Sequence, residues 1–230
     1  MVIGNGMVAK RFESYKNERK IIIFASGISN SKSSQEEAYK REIDLFNATM
    51  AQHHDKVMVY FSTCSFYDPE EKGSRYILHK QEIENIIEKQ CRQYLIFRVS
   101  NLVGKSENPN TILNFFVNHI LKGIHFDLWA NATRNLIDID DMYKIADHII
   151  NKGDNQNKII NIANPENYST TNIISTIETI SKKKANYTPV AKGNPFTIDI
   201  SMITPVIQKS GIQFGKDYLI NLLQKYYHFQ

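Results

Sequence analysis

The chain has 230 residues and a formal net charge of +4, with 42% hydrophobic and 23% charged residues. That composition fits one large globular domain that buries its own core, and its scattered Lys and Arg do not make a nucleic-acid surface. Cys64 and Cys91 form no Cys-x-x-Cys pattern, the His residues show no ligand spacing and no apolar run reaches membrane length. These features argue against a disulfide scaffold, a metal site and a spanning helix.

In chain order, Met1-Val2-Ile3 reads as a short first strand and residues 7–16 as the helix after it. Residues 20–25 are a compact apolar run suited to a strand buried on both faces. Ser33 and Ser34, each followed three residues later by Glu, form overlapping capping boxes for a helix to 53. Tyr39, Ile43, Phe46 and Met50 give that helix an apolar face. Residues 56–62 are the next strand, 76–90 a helix burying Ile83, Ile86 and Ile87, and 93–99 a further strand. Helices are expected at 110–123, 139–151, 169–182 and 216–227, with a strand at 158–163. Asp140 is read as the N-cap of helix 139–151, and Ser169 or Thr170 as that of helix 169–182. Lys182-Lys183-Lys184 reads as a solvated loop. Strands alternating with helices imply a parallel sheet joined by right-handed crossovers.

Five patterns fall in a telling order: Gly4-Asn5-Gly6-Met7-Val8-Ala9 after the first strand, Phe61-Ser62-Thr63 at the end of a later one, Tyr76-x-x-x-Lys80, Arg98-x-x-Asn101-x-x-Gly104, and Arg134-Asn135-Leu136-Ile137-Asp138. Together they resemble the extended short-chain dehydrogenase/reductase family, the NAD-dependent sugar epimerases, dehydratases and reductases. The resemblance covers nearly the whole chain, with one gap. In that family two more strand–helix units, about 40 residues, separate the first helix from the strand that ends in a small-residue turn. Here that strand is 20–25, followed by Ala25-Ser26-Gly27. The fold implied is α/β, a Rossmann-like doubly wound parallel sheet reduced by two strands, which leaves the first strand at an edge. Residues 1–104 form the NAD(P)-binding core, and 105–230 a small C-terminal substrate-binding portion with a return strand to the main sheet.

Glycines at 4 and 6 let the backbone approach a pyrophosphate, so Gly4, Asn5, Gly6, Met7 and Val8 are cofactor-binding candidates. A bare tight turn is the alternative. The acid that holds the adenosine ribose is missing, since Glu18 precedes a strand instead of ending one. Lys10 and Arg11 read as ligands of a 2′-phosphate or as solvated charges. On a helix, Tyr76 and Lys80 share a face, and an adjacent ammonium favours the phenolate, which makes Tyr76 a general acid/base. A half-buried Tyr beside a solvated Lys is the bland alternative.

The resemblance implies more. Thr63 hydrogen-bonds the reacting oxygen, Lys80 also holds the nicotinamide ribose, and Ala25 and Ser26 line the cofactor. Ser62, Cys64, Asn101 and Arg134 meet the substrate. Arg134 reads equally as a phosphate ligand or as a structural charge. Cys64 reads as an extra acid/base or as a small buried residue. Cys64 and Ser65 stand where sugar 4,6-dehydratases carry Asp and Glu, which argues against dehydration. The implied activity is NAD- or NADP-dependent reduction of a nucleotide-activated keto-sugar, with epimerisation or a non-catalytic binding role as alternatives. Surface-polysaccharide assembly, a cytoplasmic location and a homodimer through helices 33–53 and 76–90 complete the expectation.

Overall fold

The protein is described by a computed structural model covering residues 1–28, 36–153 and 156–229. The expected caps at Ser33 and Ser34 lie outside the described residues.

The first half alternates strand and helix: β1 (Val2–Ile3), α1 (Met7–Arg11), β2 (Ile21–Phe24), α2 (Glu36–His53), β3 (Val57–Thr63), α3 (Arg75–Gln90) and β4 (Tyr94–Val99). Beyond it come β5 (Asn101–Val103), α4 (Ile112–Lys122), β6 (Phe126–Trp129), β7 (Thr133–Arg134), β8 (Leu136–Asp138), α5 (Ile139–Lys152) and β9 (Lys158–Ile162). The chain closes with β10 (Tyr168–Ser169), α6 (Thr170–Ser181), β11 (Tyr187–Val190), α7 (Thr204–Lys209) and α8 (Tyr218–Tyr226).

The main sheet has the order β1-β2-β3-β4-β9, all parallel. β1 is an edge, as expected. Strand residues alternate between two apolar layers. Ile22, Phe24, Met58 and Tyr60 meet Phe46 and Met50 of α2 and Ile83 and Ile87 of α3. Ile23, Val59, Leu95 and Phe97 meet Phe12 at the end of α1 and Met142, Ile145 and Ile149 of α5. A third core gathers α4, α6 and α8 around Phe116, Ile173, Ile177 and Leu223.

The expectation of right-handed crossovers throughout is corrected here. Every step from β1 to β9 moves in one direction across the sheet, yet α1 and α5 lie on one face and α2 and α3 on the other. Parallel steps in one direction over opposite faces have opposite hands. With the two inner steps in the usual right hand, the outer two are left-handed. At β1–α1–β2 the physical reason is the short link: α1 leads straight into β2 with no returning strand between.

Local chemistry sets the element ends. Ser74 Oγ accepts from Ile77 N–H at 3.3 Å and starts α3, and Ser169 Oγ accepts from Asn172 N–H at 3.1 Å and starts α6. α5 is capped by Asp138, which accepts from Asp140 N–H at 2.7 Å. This corrects the reading of Asp140 as the cap: Asp140 lies one residue inside the helix and pairs with Arg11 and Lys225. The expected first helix is also shorter, its last turn tightening to a 3-10 turn at Glu13–Tyr15. In the Lys182-Lys183-Lys184 loop, Lys183 Nζ donates to Leu121 O at 2.9 Å.

Candidate active site

The carboxyl ends of the parallel strands open into one cleft of about 570 Å³. Ligands of open α/β sheets bind at this end. Each expected site residue except Gly4 lines it: Asn5, Gly6, Met7 and Val8 after β1, Ala25 and Ser26 after β2, Ser62, Thr63 and Cys64 at β3, then Tyr76, Lys80, Asn101 and Arg134. Gly4 acts one layer behind. Its φ is +122°, and a Cβ there stands 2.4 Å from Ala25 O, so Gly4 lets the first turn lie against the second. Gly6 has nothing within 4 Å of its Cβ position and borders open cleft.

Two buried hydroxyls line the same space without a hydrogen-bond partner among the described residues: Ser62 Oγ and Ser100 Oγ. Buried polar atoms are nearly always paired, so an ordered water or a bound ligand completes these two. Ser62 was anticipated; Ser100 was not, although it adjoins Asn101 in a motif already read. Thr63 Oγ1 donates to Ser65 Oγ and accepts from Ser65 N–H, both at 3.0 Å. It caps the turn that carries Cys64.

Tyr76 is half-buried on the first turn of α3, and Lys80 Nζ lies 5.9 Å from its ring centroid. The phenol that Lys80 touches is another one. Its Nζ donates to Tyr60 Oη at 2.7 Å and to Glu42 Oε1 at 3.2 Å, and the residue is 2% exposed. Glu42, on α2, is fully buried and accepts from Tyr60 Oη at 2.8 Å and from Ile28 N–H at 3.0 Å. His79 Nε2 lies 3.0 Å from its other oxygen. Burial works to raise the Glu42 pKa, but Lys80, His79, Ile28 and Tyr60 outweigh it and hold the carboxyl down at about 2. Burial first, then Glu42, push the Tyr60 phenol well above its ordinary value. The sequence signal for Glu42 was an acid at i+3 from Tyr39 and i−4 from Phe46, inside the apolar stripe.

Cys64 Sγ donates to Arg98 O at 3.0 Å, and burial pushes its thiol up to about 12. Of the two readings, the small buried residue fits the 2% exposure of Cys64. Arg134 Nη1 lies 3.5 Å from Asp68 Oδ2, both on the cleft wall, so its charge is already partnered. Asn101 Nδ2 donates to Asn135 O at 3.0 Å and joins the two sides of the β5–β8 pair. Arg11 donates to Asp140 Oδ1 at 2.6 Å, covers the Tyr143 ring at 3.7 Å and does not line the cleft. Both cysteines are free, and no group of three metal-ligating side chains occurs among the described residues.

Residues 10–163 match the model of the NAD dependent epimerase/dehydratase family. The chain belongs to this family. The matched segment begins after the glycine turn and ends at β9. UDP-glucuronic acid 4-epimerase from Bacillus cereus, solved with UDP-glucuronic acid and NAD, superposes with a TM-score of 0.71 at 18% identity, over 96% of this chain and 76% of that one. RMD from Pseudomonas aeruginosa, solved with NADPH, gives 0.69 at 11% identity over 97% and 96%. dTDP-glucose 4,6-dehydratase from Bacillus anthracis, solved with NAD, gives 0.66 at 16% over 88% and 71%. At such identities the likeness establishes the shared fold. A search of curated proteins gave no match. No helix among the described residues is long and apolar enough to cross a membrane.

Proposed function

We propose that this family member uses NAD or NADP to reduce a keto group on a nucleotide-activated sugar. The observation that carries the reading is the convergence of Gly6, Thr63, Tyr76 and Lys80 on one cleft that also holds the unpartnered Ser62 and Ser100 hydroxyls. Similar folds are solved with NAD or NADPH and with UDP-sugars, which supports the ligand classes. The residues suit the nicotinamide end of such a cofactor: open backbone at Gly6, the small Ala25-Ser26 turn, and one Lys80 N–H beyond the two already used. When bound, the cofactor supplies the hydride.

Tyr76 then delivers the proton to the new hydroxyl, because it lines the cleft beside Lys80 while Tyr60 is sealed beneath it. Thr63 orients the carbonyl oxygen by turning its hydroxyl hydrogen from Ser65 Oγ to the substrate. Residues 1–104 hold the cofactor, and 105–230 hold the sugar nucleotide, with Arg134 turning from Asp68 to a phosphate. We place the protein in the cytoplasm. We also place a homodimer contact on α2 and α3, whose outer face carries Leu78 at 52% exposure.

The test is to mix the protein with NADH or NADPH and keto forms of UDP-, GDP-, CDP- and dTDP-sugars and follow the nicotinamide absorbance. The expected result is oxidation matched one to one by reduced sugar. Interconversion of two sugars without net loss of reduced cofactor makes the chain an epimerase instead. Failure of every nucleotide sugar to react or bind removes the catalytic reading.

A further inference from the structure

Between β3 and α3 the chain makes two short 3-10 turns, Cys64–Tyr67 and Pro69–Glu71, and Asp68 sits where they meet. Its two oxygens serve different partners. Oδ1 accepts from Glu70 N–H at 3.0 Å and caps the second turn. Oδ2 faces Arg134 Nη1 of β7 at 3.5 Å. Both side chains line the cleft, with 12% of Asp68 and 20% of Arg134 exposed, so each charge needs a partner there. Yet 3.5 Å is longer than an ordinary N–H···O bond, and the same Nη1 already donates to Thr133 O at 2.9 Å. The pair is a Coulombic contact that another anion can replace, and the guanidinium keeps further N–H groups for one. The other charged residues lining the cleft are Arg41, Glu71 and Lys80. Lys80 pairs with Glu42, and Asp68 is the one acid paired with Arg134 among the described residues.

We propose that Asp68 is a specificity-determining residue, a built-in counter-charge that occupies Arg134 in the empty cleft and that the diphosphate of a ligand must displace. This deepens the reading of Arg134 as a phosphate ligand and rests on it. Binding then exchanges one partner of the guanidinium for another. A neutral ligand gives Arg134 nothing in return for Asp68 and leaves the pair closed. A diphosphate carries more negative charge than one carboxylate and offers several oxygens to the guanidinium fork, so it takes the contact over. Asp68 therefore lowers the affinity for every anion and sets how much charge a ligand must bring. The released carboxylate keeps its place through Oδ1 on Glu70 N–H, and the turn keeps a second tie to the C-terminal portion, Asn194 Nδ2 to Glu70 Oε1 at 2.7 Å.

The test is calorimetric titration with UDP, GDP, CDP and dTDP, and with the matching uncharged nucleosides. Asp68→Asn keeps the capping oxygen and removes the charge; Asp68→Ser also caps the turn and serves as the second variant. Both should bind the preferred nucleoside diphosphate about fivefold or more tightly than the parent, since the ligand no longer has to break the pair. Binding of the nucleoside should not change. Glu71→Gln removes the same charge from the same cleft without freeing Arg134, so its gain should be clearly smaller. In an Arg134→Gln background, Asp68→Asn should gain no more than Glu71→Gln does. A merely structural Asp68 predicts the opposite sign, with weaker binding in both variants. The inference is overturned if neither variant binds a diphosphate more tightly than the parent, if the nucleoside gains as much, if Glu71→Gln gains equally, or if the gain survives in Arg134→Gln. A parent that binds diphosphates while its Asp68 variants show no gain removes the role of Asp68 and leaves the sugar-nucleotide reading in place. Failure to oxidise NADH or NADPH with any keto-sugar counts against the redox reading and not against the Asp68–Arg134 relation.

Discussion

Two tyrosines lie near one lysine, and solvent access separates them. Tyr60 is sealed, bonded to both Glu42 and Lys80; Tyr76 borders the open space. Tyr76→Phe keeps the ring and removes the transferable proton. With the true substrate, kcat should fall roughly a hundredfold to ten-thousandfold, the usual worth of general acid catalysis, with KM little changed. Steady-state kinetics checks this, and near-parent turnover would show that another group delivers the proton. Glu42 makes a second, pH-dependent prediction. Its folded pKa is depressed from 4.5 to about 2, so it stabilises the fold fully above pH 4.5 and loses that contribution as the pH falls toward 2. The stability gap between parent and Glu42→Gln, read from urea midpoints, should therefore be widest near neutrality and shrink between pH 4.5 and 2. At this scale the sequence showed the residues that line the cleft and hid the ones packed behind them. The Tyr-x-x-x-Lys spacing was legible because it is local. Glu42 was not, because an acid on an apolar helix face becomes meaningful only when a distant lysine is placed against it.

Among the elements, the glycine turn separates two uses of one residue type. Gly4 is required by the chain itself, through its φ of +122° and its approach to Ala25. Gly6 is required by nothing in the protein. Gly4→Ala should destabilise the fold by about 1–3 kcal/mol from backbone strain alone, with the clash adding to it. Gly6→Ala should leave the denaturation midpoint near the parent value and weaken cofactor binding. Urea titration beside a binding isotherm checks both, and equal stability losses would refute the distinction. The long strands and helices were legible because buried runs such as 20–25 and apolar faces such as that of α2 are strong local signals. The two- to four-residue strands β5 to β8, β10 and β11 carry no period, and they form only because their partners arrive from far along the chain. Crossover hand was misjudged for a related reason: it depends on which face a helix covers, and no local pattern reports that.

For the whole molecule, the governing fact is what lies beyond β1. Among the described residues the sheet stops there, and no acid stands at the end of β2 to hold an adenosine ribose. Under the proposed function, cofactor recognition then falls on the nicotinamide side: Gly6, the 25–28 turn and Lys80. The direct measurement is calorimetric titration of the protein with NADH and, separately, with reduced nicotinamide mononucleotide. Both are expected to bind, with affinities within about tenfold of one another, or about 1.4 kcal/mol. If neither gives a binding isotherm, the cleft is not a nicotinamide site and the proposed chemistry is contradicted.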